Sequence, residues 1–376
     1  MNSWALITGE YPPAPGGVSD YSRQIATGLE AAGDRVEVFA PFAHGPDPRD
    51  GLVAVHRLAG GFSPLGLLRL SSAIDRLPSP RRILVQWVPQ AFGFRGMNLP
   101  FCAWLRRRHD PVDLMFHEVA SPGGRGRPLK HRFLAAAQRR MAAIAISSAD
   151  RVFVSTSSWE PTLRDLGLAV TPVLLPIPSN LPTSIDRGSV AEIGVSVGQS
   201  GNRLLVGHFG TFRGLVADLL SELLRPLLVP FPNRLAILVG RGSREFSRTV
   251  TARTPGLRGR LLATGELSPE EAAAHLAACD VLVQPFPDGV TTRRTSFMAG
   301  LALGVPAVTN SGHLTEPFWM QSGATVVASS PQEIVTEVAR LLADPDRLRR
   351  IRARGAELYR ERFALERTTE KLRAGI

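Results

Sequence analysis

The chain has 376 residues, of which 44% are apolar, and its 44 lysines and arginines exceed its 33 aspartates and glutamates to give a formal net charge of +11. This length predicts two domains of about 150 to 200 residues each. No run approaches the roughly 20 uncharged apolar residues that a membrane-spanning helix needs. The first residues lack the basic region of a signal peptide. The two cysteines lie far apart in the sequence, which argues against disulfides or a metal cluster.

The first half of the chain alternates short apolar runs with amphipathic stretches. Residues 21–33 have the spacing of an amphipathic helix, which Gly33 ends. The apolar runs predict strands that are buried on both faces of a parallel sheet, and they cover residues 4–8, 35–41, 52–58, 82–89, 113–119 and 151–156. Strands that alternate with helices predict a Rossmann-like α/β domain over residues 1–180.

The stretch VLLPIPSNLPTSIDRGSV is rich in Pro, Ser and Asn, and it predicts a linker over residues 181–196 without a helix. The same alternation then resumes, which predicts a second Rossmann-like domain over residues 197–358. Residues 359–376 are predicted to form a C-terminal helix that can pack back on the first domain. In two doubly wound parallel-sheet domains that face a cleft, we expect the ligand beyond the carboxyl ends of the strands.

The stretch EYPPAPGGVSDYS places three prolines and two adjacent glycines between the first strand and the first helix. Gly16 and Gly17 precede the helix, where bare backbone N–H groups and the partial positive charge of a helix N-terminus favour an anion. The spacing matches neither the dinucleotide fingerprint nor the P-loop, so both of those interpretations lose support. A tight turn without any ligand explains the glycines equally well.

Strand ends in the second half carry histidine, arginine and glycine. His208 ends a predicted strand, Arg213 precedes a helix where a cation can meet a phosphate, and Gly240 lies in another strand-end turn. These positions predict contacts to a phosphorylated ligand.

The stretch QPFPDGVTTRRTSF places Asp288, Arg293 and Arg294 before a helix, for which Thr295 or Ser296 is the predicted N-cap. Two arginines beside a helix N-terminus predict a diphosphate site. A solvated pair on a surface loop is the alternative.

Five stretches of the sequence, in chain order, are EYPPAPGGVSDYS, VGHFGTFRG, AILVGRGSRE, TGELSPEEAAAHLAACDVLVQPF and GLALGVPAVTN. Together they resemble the GT-B glycosyltransferases of the retaining kind, family four, also described as glycosyl transferases group 1. The resemblance covers nearly all of both domains. It implies a GT-B fold and a hexosyltransferase that keeps the anomeric configuration.

The resemblance also implies roles for single residues. Gly16 and Gly17 would face the diphosphate of a nucleotide-diphosphate sugar, and His117 would lie near the transferred sugar. His208, in the place of a family arginine, and Arg213, in the place of a lysine, would neutralise the leaving diphosphate. The reaction would need no metal ion, because protein cations do that work.

The family's two glutamates, eight positions apart, are missing here. If Asp288 stands for the first, Ser296 falls at the second; if the register is set from the later Gly-Val-Pro turn, the places fall on Thr291 and Ala299. The second glutamate commonly holds the nucleotide ribose. Ribose recognition therefore comes from elsewhere, with Glu316 as one substitute, or the donor differs, or activity is lost.

Two basic stretches, FRGMNLPFCAWLRRRHD and GGRGRPLKHRFLAAAQRRMAAIAISS, also carry large apolar residues. This mixture suits an anionic membrane surface better than nucleic acid, since aromatic residues do not alternate with the basic ones. Only two of the 44 basic residues are lysines, so an arginine-rich genome is the alternative explanation. We expect a cytoplasmic protein that binds no nucleic acid and that associates peripherally with the inner face of the membrane.

Residues and resemblance together predict transfer of a sugar from a nucleotide-diphosphate sugar to an acceptor hydroxyl with retention, in envelope or lipid-linked glycan synthesis. A non-catalytic GT-B module that binds a nucleotide sugar or glycan, and a sugar-nucleotide epimerase, stay open. The predicted catalytic residues are His117, Arg213 and Asp288, and the predicted donor-binding residues are Gly16, Gly17, His208, Gly240, Arg293, Arg294, Ser296 and Glu316.

Overall fold

The computed structural model describes residues 2–121, 128–196 and 203–375. The chain divides into two compact units, one made of residues 1–176 and 365–376 and the other of residues 177–364. The divisions thus fall near, but not at, the predicted boundaries of 180 and 358. The predicted start of the second domain, at 197, lies outside the described residues.

The strands and helices follow one another in the alternating order that the sequence predicts. The strands are β1 Ser3–Thr8, β2 Arg35–Pro41, β3 Ala54–Leu58, β4 Arg81–Trp87, β5 Val112–Phe116, β6 Arg151–Val154, β7 Val173–Leu174, β8 Leu204–Phe209, β9 Arg234–Val239, β10 Leu261–Gly265, β11 Val281–Gln284, β12 Ala307–Asn310 and β13 Val326–Ala328. The helices are α1 Gly17–Ala31, α2 Pro64–Asp75, α3 Leu99–Arg106, α4 Leu129–Ile146, α5 Glu160–Asp165, α6 Arg187–Ser196, α7 Gly214–Leu228, α8 Ser243–Arg253, α9 Pro269–Ala277, α10 Thr295–Ala302, α11 Phe318–Gln321, α12 Pro331–Leu342, α13 Pro345–Leu358 and α14 Leu365–Arg373.

The first unit is built on a seven-stranded parallel sheet in the order β3-β2-β1-β4-β5-β6-β7. Ile7 of β1 pairs with Phe39 on one side and Val85 on the other, and all three are fully buried. The strand order reverses between β1 and β4, and in sheets of this kind such a switch point is where ligands bind, beyond the carboxyl ends of the strands. Helix α14 packs against α1 and completes this unit.

The second unit is built on a six-stranded parallel sheet in the order β10-β9-β8-β11-β12-β13, with its switch point between β8 and β11. Leu205 and Ile237 belong to the hydrophobic core on one face, and Val206 and Ala236 belong to the core on the other. The sheet is therefore buried on both faces, as its apolar strands predict.

The predicted fold class of two doubly wound parallel-sheet α/β domains is confirmed. That the two sheets face a shared cleft stays a prediction. No helix within the described ranges is both long and apolar enough to cross a membrane.

The prediction of a helix-free linker over residues 181–196 is wrong, because α6 occupies its second half. The carboxylate of Asp186 accepts hydrogen bonds from the N–H groups of Gly188 (3.3 Å) and Ser189 (2.8 Å). Such a carboxylate satisfies amides at the start of a helix that have no partner within it. The Pro- and Ser-rich composition hid this local signal.

Candidate active site

The predicted site residues lie at the carboxyl edges of the two sheets, in two groups. One group surrounds the switch point between β8 and β11 in the second unit. The other surrounds the switch point between β1 and β4 in the first unit. Each group is therefore where ligands bind in sheets of this kind.

His208 lies at the switch point of the second unit and is buried. Its Nδ1 donates a hydrogen bond to the carbonyl oxygen of Val283 in β11 (2.9 Å), which leaves a lone pair on Nε2. Nε2 has no hydrogen-bond partner among the residues that the structure describes. Burial lowers the pKa of His208 to about 4, against the opposing influence of the Val283 and Thr211 backbones. The ring is neutral near pH 7, so the positive charge that the resemblance assigned to it is absent.

We expect this neutral ring to make stability depend on pH. An unfolded histidine takes up a proton near its ordinary pKa of 6.5, whereas folded His208 does so only near 4. The unfolded state therefore binds more protons between these values, and stability that is complete above pH 6.5 is lost as the pH falls. Between pH 7 and pH 5, we expect His208 to lower the free energy of unfolding by about 2 kcal/mol. Urea unfolding of the wild type and of His208→Gln at both pH values will measure this loss. The exposed His313→Gln serves as control, and equal losses for wild type and His208→Gln would contradict the expectation.

Bare backbone lies beside the ring of His208. Gly210 has a φ of 145°, and a Cβ there would lie 3.6 Å from the Cβ and Oγ of Ser296 and 3.9 Å from Nε2 of His208. Gly240 has a φ of 130°, and a Cβ there would lie 2.4 Å from the carbonyl oxygen of Gly210. Both φ values disfavour any residue with a side chain. The structure thus brings His208, Gly240 and Ser296 together around Gly210.

Arg213 directly precedes the next helix. It is the N-cap of α7, and the ring of the preceding Phe212 meets the ring of His208 edge-on at 5.2 Å. The Arg213 side chain is exposed and makes no hydrogen bond or ion pair with another described residue. An unneutralised guanidinium beside the free amides of a helix N-terminus suits an anion.

Asp288, Arg293 and Arg294 form one ion-paired group. Both guanidiniums contact the carboxylate, and the three side chains are only 15%, 21% and 23% exposed. The Arg294 guanidinium also lies 4.6 Å from the centre of the Phe286 ring, and burial lowers the pKa of Arg294 to about 10. The alternative that Arg293 and Arg294 are a solvated pair on a surface loop is therefore wrong. The carboxylate of Asp288 neutralises one of their two positive charges.

The start of α10 differs from the prediction. Arg294 is the N-cap, Thr295 is the first helical residue, and no side chain caps the helix. The predicted cap at Thr295 or Ser296 is therefore wrong.

Glu316 supports the loop before α10 from inside the unit. Its carboxylate, only 3% exposed, accepts hydrogen bonds from the N–H (3.1 Å) and Oγ1 (2.7 Å) of Thr292 and from Nε1 of Trp319 (3.0 Å). A ribose contact by Glu316 stays a prediction. It would require the carboxylate to give up hydrogen bonds from Thr292 or Trp319 and to form bonds to the ribose instead.

In the first unit, the turn at Gly16 and Gly17 encloses the carboxylate of Glu10, which the sequence did not single out. Its Oε1 accepts a hydrogen bond from the N–H of Ser19 at 3.1 Å. A Cβ on Gly16 would lie 2.3 Å from that oxygen, whereas a Cβ on Gly17 would meet no atom within 4 Å. Gly16 has a φ of 169°, so the positive φ expected of this turn is absent there.

His117 directly follows β5 and is buried. Its Nε2 lies 2.8 Å from Oε1 of Gln86 at the end of β4, so Nε2 carries the proton in this pair. The ring of Tyr21 on α1 meets the imidazole edge-on at 5.0 Å. Through Tyr21, the structure links His117 with the helix that begins at Gly17. Sequence reasoning missed Gln86, because it looks like any other polar residue at a strand end.

Two family models match the chain. One, described as a Glycosyl transferase 4-like domain, matches residues 16–178, and the other, described as Glycosyl transferase-like, matches residues 240–374; together they span more than half of the chain. The chain belongs to the group 1 glycosyltransferases. The comparison with curated proteins found no match.

Solved structures share the GT-B fold of this glycosyltransferase over nearly its whole length. Sucrose-phosphate synthase from Thermosynechococcus elongatus is 18% identical with a TM-score of 0.73, and the match covers 99% of this chain and 97% of that one. Alr3699/HepE of Anabaena in complex with UDP-glucose is 17% identical, with a TM-score of 0.68 and 98% of each chain covered. WaaG, a glycosyltransferase involved in lipopolysaccharide biosynthesis, is 16% identical, with a TM-score of 0.65 and 99% and 98% covered. At these identities the likeness shows the fold alone.

This glycosyltransferase has no carboxylate at the two places that the Gly-Val-Pro register gives for the family's glutamates. Thr291 and Ala299 are both fully buried, and Oγ1 of Thr291 has no hydrogen-bond partner within the described part of the chain. In residues 2–121, 128–196 and 203–375, no cluster of three or more His, Cys, Asp or Glu side chains is arranged to hold a metal ion.

Proposed function

We propose that this glycosyltransferase moves a hexosyl group from a nucleotide-diphosphate sugar to an acceptor hydroxyl with retention of configuration. The proposal is carried by Arg213, the exposed N-cap residue of α7, whose guanidinium makes no hydrogen bond or ion pair with another described residue. Arg213 follows the bare backbone of Gly210 in the loop after β8, at the switch point of the second unit. The complex of the similar HepE protein with UDP-glucose supports this class of donor.

Charge on the leaving group explains the choice of residues. Breaking the sugar–phosphate bond develops negative charge on the diphosphate, and fixed positive groups favour that state over the ground state. We assign this work to Arg213 and the amino end of α7, and we propose that no metal ion takes part. A neutral His208 would instead form a hydrogen bond through Nε2, and it would not neutralise charge.

The remaining predicted residues support the donor. Arg293 and Arg294 together exceed the charge of Asp288 by one, so this group stays cationic beside Ser296, and we assign it to donor binding. In the first unit we assign His117 to the transferred sugar and the open backbone at Gly17 to the diphosphate. Retention follows if the leaving phosphate oxygen takes the proton of the acceptor hydroxyl on the same face of the sugar.

The wild-type protein tests the proposal. Released nucleoside diphosphate, measured across common nucleotide sugars with and without acceptor glycans, supports an enzyme, and NMR of the product anomer reports retention.

A non-catalytic module is the second candidate, because Ala299 stands where one register places the ribose-binding glutamate. Binding of nucleotide sugars without release of nucleoside diphosphate favours that module.

We also propose that the acceptor is lipid-linked or part of the envelope and that the enzyme works on the inner face of a membrane. Charge in the first unit supports this. The sequence has no acidic residue between Asp75 and Asp110 or between Glu118 and Asp150. Several cations of these stretches are exposed and make no hydrogen bond or ion pair with another described residue. They are Arg95, Arg106, Arg107, Lys130, Arg132, Arg139 and Arg140.

Exposed apolar side chains accompany these cations. They lie at or just before the starts of α2, α3 and α4, which pack side by side, and they are Leu65, Leu68, Phe94, Leu99, Leu129 and Phe133. Phe94 and Arg95 both have positive φ, at 51° and 54°, which is a costly conformation for residues with side chains, and Phe94 is half exposed. We call these cations and apolar side chains the basic-apolar surface. Residues 123–127 of the predicted basic stretch lie outside the described residues.

We expect the basic-apolar surface to bind anionic vesicles. Each Lys or Arg near such a membrane contributes about 1 kcal/mol, so Arg106→Ala/Arg107→Ala should weaken sedimentation with phosphatidylserine vesicles at low salt by about 30-fold. Arg253→Ala/Arg258→Ala, which removes two exposed arginines from the second unit, is the matched control. No affinity of the wild type for these vesicles would contradict the membrane proposal.

A further inference from the structure

The carboxylate of Glu10 occupies the amino end of α1. It accepts hydrogen bonds from the backbone N–H groups of Ser19 and Val18. Gly16 is extended at φ 169°, a conformation open to any residue, yet a Cβ there would overlap Oε1 at 2.3 Å. A methyl group at position 16 would therefore have to displace the carboxylate from its place at the start of α1. An internal anion thus holds amides that a phosphate was expected to use.

The rest of the turn is held at two further points. Oγ of Ser19 donates a hydrogen bond to the carbonyl oxygen of Ala14 at 2.6 Å, and the Arg57 guanidinium donates one to the carbonyl oxygen of Pro12 at 2.5 Å. Gly17 is exposed, and a Cβ there would meet no atom within 4 Å. The turn is thus a fixed loop that leaves the backbone at Gly17 uncovered.

We infer that Glu10 is a positioning residue for the transfer reaction: its carboxylate, bound by the first amides of α1, fixes the glycine turn and so presents the open backbone at Gly17. This inference rests on the proposed function, because the turn matters only if the site works on a donor.

Ionisation of Glu10 is coupled to this arrangement. Burial raises the pKa of Glu10 above the ordinary 4.5 of a glutamate, and the carboxylates of Asp20 on α1 and Glu118 after β5 raise it further, while the two α1 amides lower it. As the pH falls, the side chain takes up a proton earlier than an exposed glutamate, and a neutral carboxyl accepts the amide bonds less strongly. Activity that depends on Glu10 is therefore present at high pH and declines on an acid limb that begins above that of an ordinary glutamate.

The kinetic test compares Glu10→Ala with Glu10→Gln. Glu10→Ala leaves the amides of Val18 and Ser19 unbound, and we expect kcat/KM for nucleoside diphosphate release to fall about tenfold, which is about 1.4 kcal/mol. Glu10→Gln keeps an acceptor oxygen and should lose less, but its acid limb should move to lower pH or vanish. Glu366→Gln, at an exposed glutamate of the same unit, should match the wild type. Wild-type rates and pH profiles in both Glu10 variants would overturn the inference.

A double-mutant cycle tests the contact itself. Gly16→Ala places a methyl group against the carboxylate and should disturb the turn, whereas Glu10→Ala removes the obstacle. The double variant should therefore be no less active than Glu10→Ala alone. Additive losses would show that the carboxylate and Gly16 act separately, and they would overturn the inference.

Hydrogen exchange separates this inference from the proposed function. Glu10→Ala should speed exchange in a peptide spanning residues 11–22, and this readout does not require activity. Unchanged exchange overturns the role of Glu10 even if the wild type transfers sugar. Faster exchange in a protein that releases no nucleoside diphosphate from any donor overturns the proposed function and the positioning role that rests on it.

Discussion

Arg213→Ala releases nucleoside diphosphate about 10²- to 10³-fold more slowly than the wild type, the largest loss of activity that we expect. Arg213 is the N-cap residue of α7, and its exposed guanidinium has no hydrogen-bond or ion-pair partner among the residues that the structure describes. With His208 neutral and both Arg293 and Arg294 paired to Asp288, it carries the charge least compensated by the protein in this group. Loss of one preorganised charge partner of a developing anion costs about 2.7–4 kcal/mol of barrier.

Two further variants sharpen this test. Arg213→Lys keeps the charge but loses the planar fork, so we expect it to recover part of the rate. Arg258→Ala removes another exposed arginine of the second unit and should leave the rate unchanged. A KM that rises with kcat intact would assign Arg213 to ground-state binding, and an unchanged kcat/KM would remove it from the proposed mechanism.

The parallel sheets could be predicted because their signal is local. The run at residues 4–8 is apolar almost throughout, and β1 covers Ser3–Thr8 with six buried residues in succession. A strand covered on both faces needs apolar side chains on both, whatever its neighbours are. Likewise, the strand ends indicated the places of His208, Gly240 and Arg213 along the chain.

The chemical state of those residues could not be predicted, since it depends on partners far away in sequence. The carbonyl group that binds Nδ1 of His208 belongs to a residue 75 positions later, and burial by the surrounding strands removes the charge of the ring. The carboxylate of Glu10 reaches Ser19 only because the proline-rich turn folds back on itself. The resemblance implied a charge-neutralising role for His208 and a diphosphate at Gly16, and neither the pKa of the ring nor the carboxylate of Glu10 could be foreseen from residue type.

Asp288→Asn is expected to lower the free energy of unfolding by about 3 kcal/mol. The substitution keeps the shape of the side chain but leaves the guanidiniums of Arg293 and Arg294 without their counter-charge while they remain about four-fifths buried. Removing one partner of a buried ion pair costs about 3–5 kcal/mol, and the partial exposure of this group places it at the lower end. Burial already lowers the pKa of Arg294, which indicates that removing its charge from water costs free energy in the folded state.

The matched control is Asp346→Asn, because Asp346 pairs with Arg349 on the surface of the same unit, where both side chains are more than 70% exposed. Solvent screens that pair, so we expect a change of about 0.5 kcal/mol or less. Urea unfolding of the two variants beside the wild type measures the difference. Equal small losses would mean that Asp288 contributes no more than a surface acid, and the two arginines would then be available to an anionic ligand without first giving up a protein partner. A large loss in Asp288→Asn alone would mean instead that the donor must bind to a group in which the protein has already neutralised half of the arginine charge.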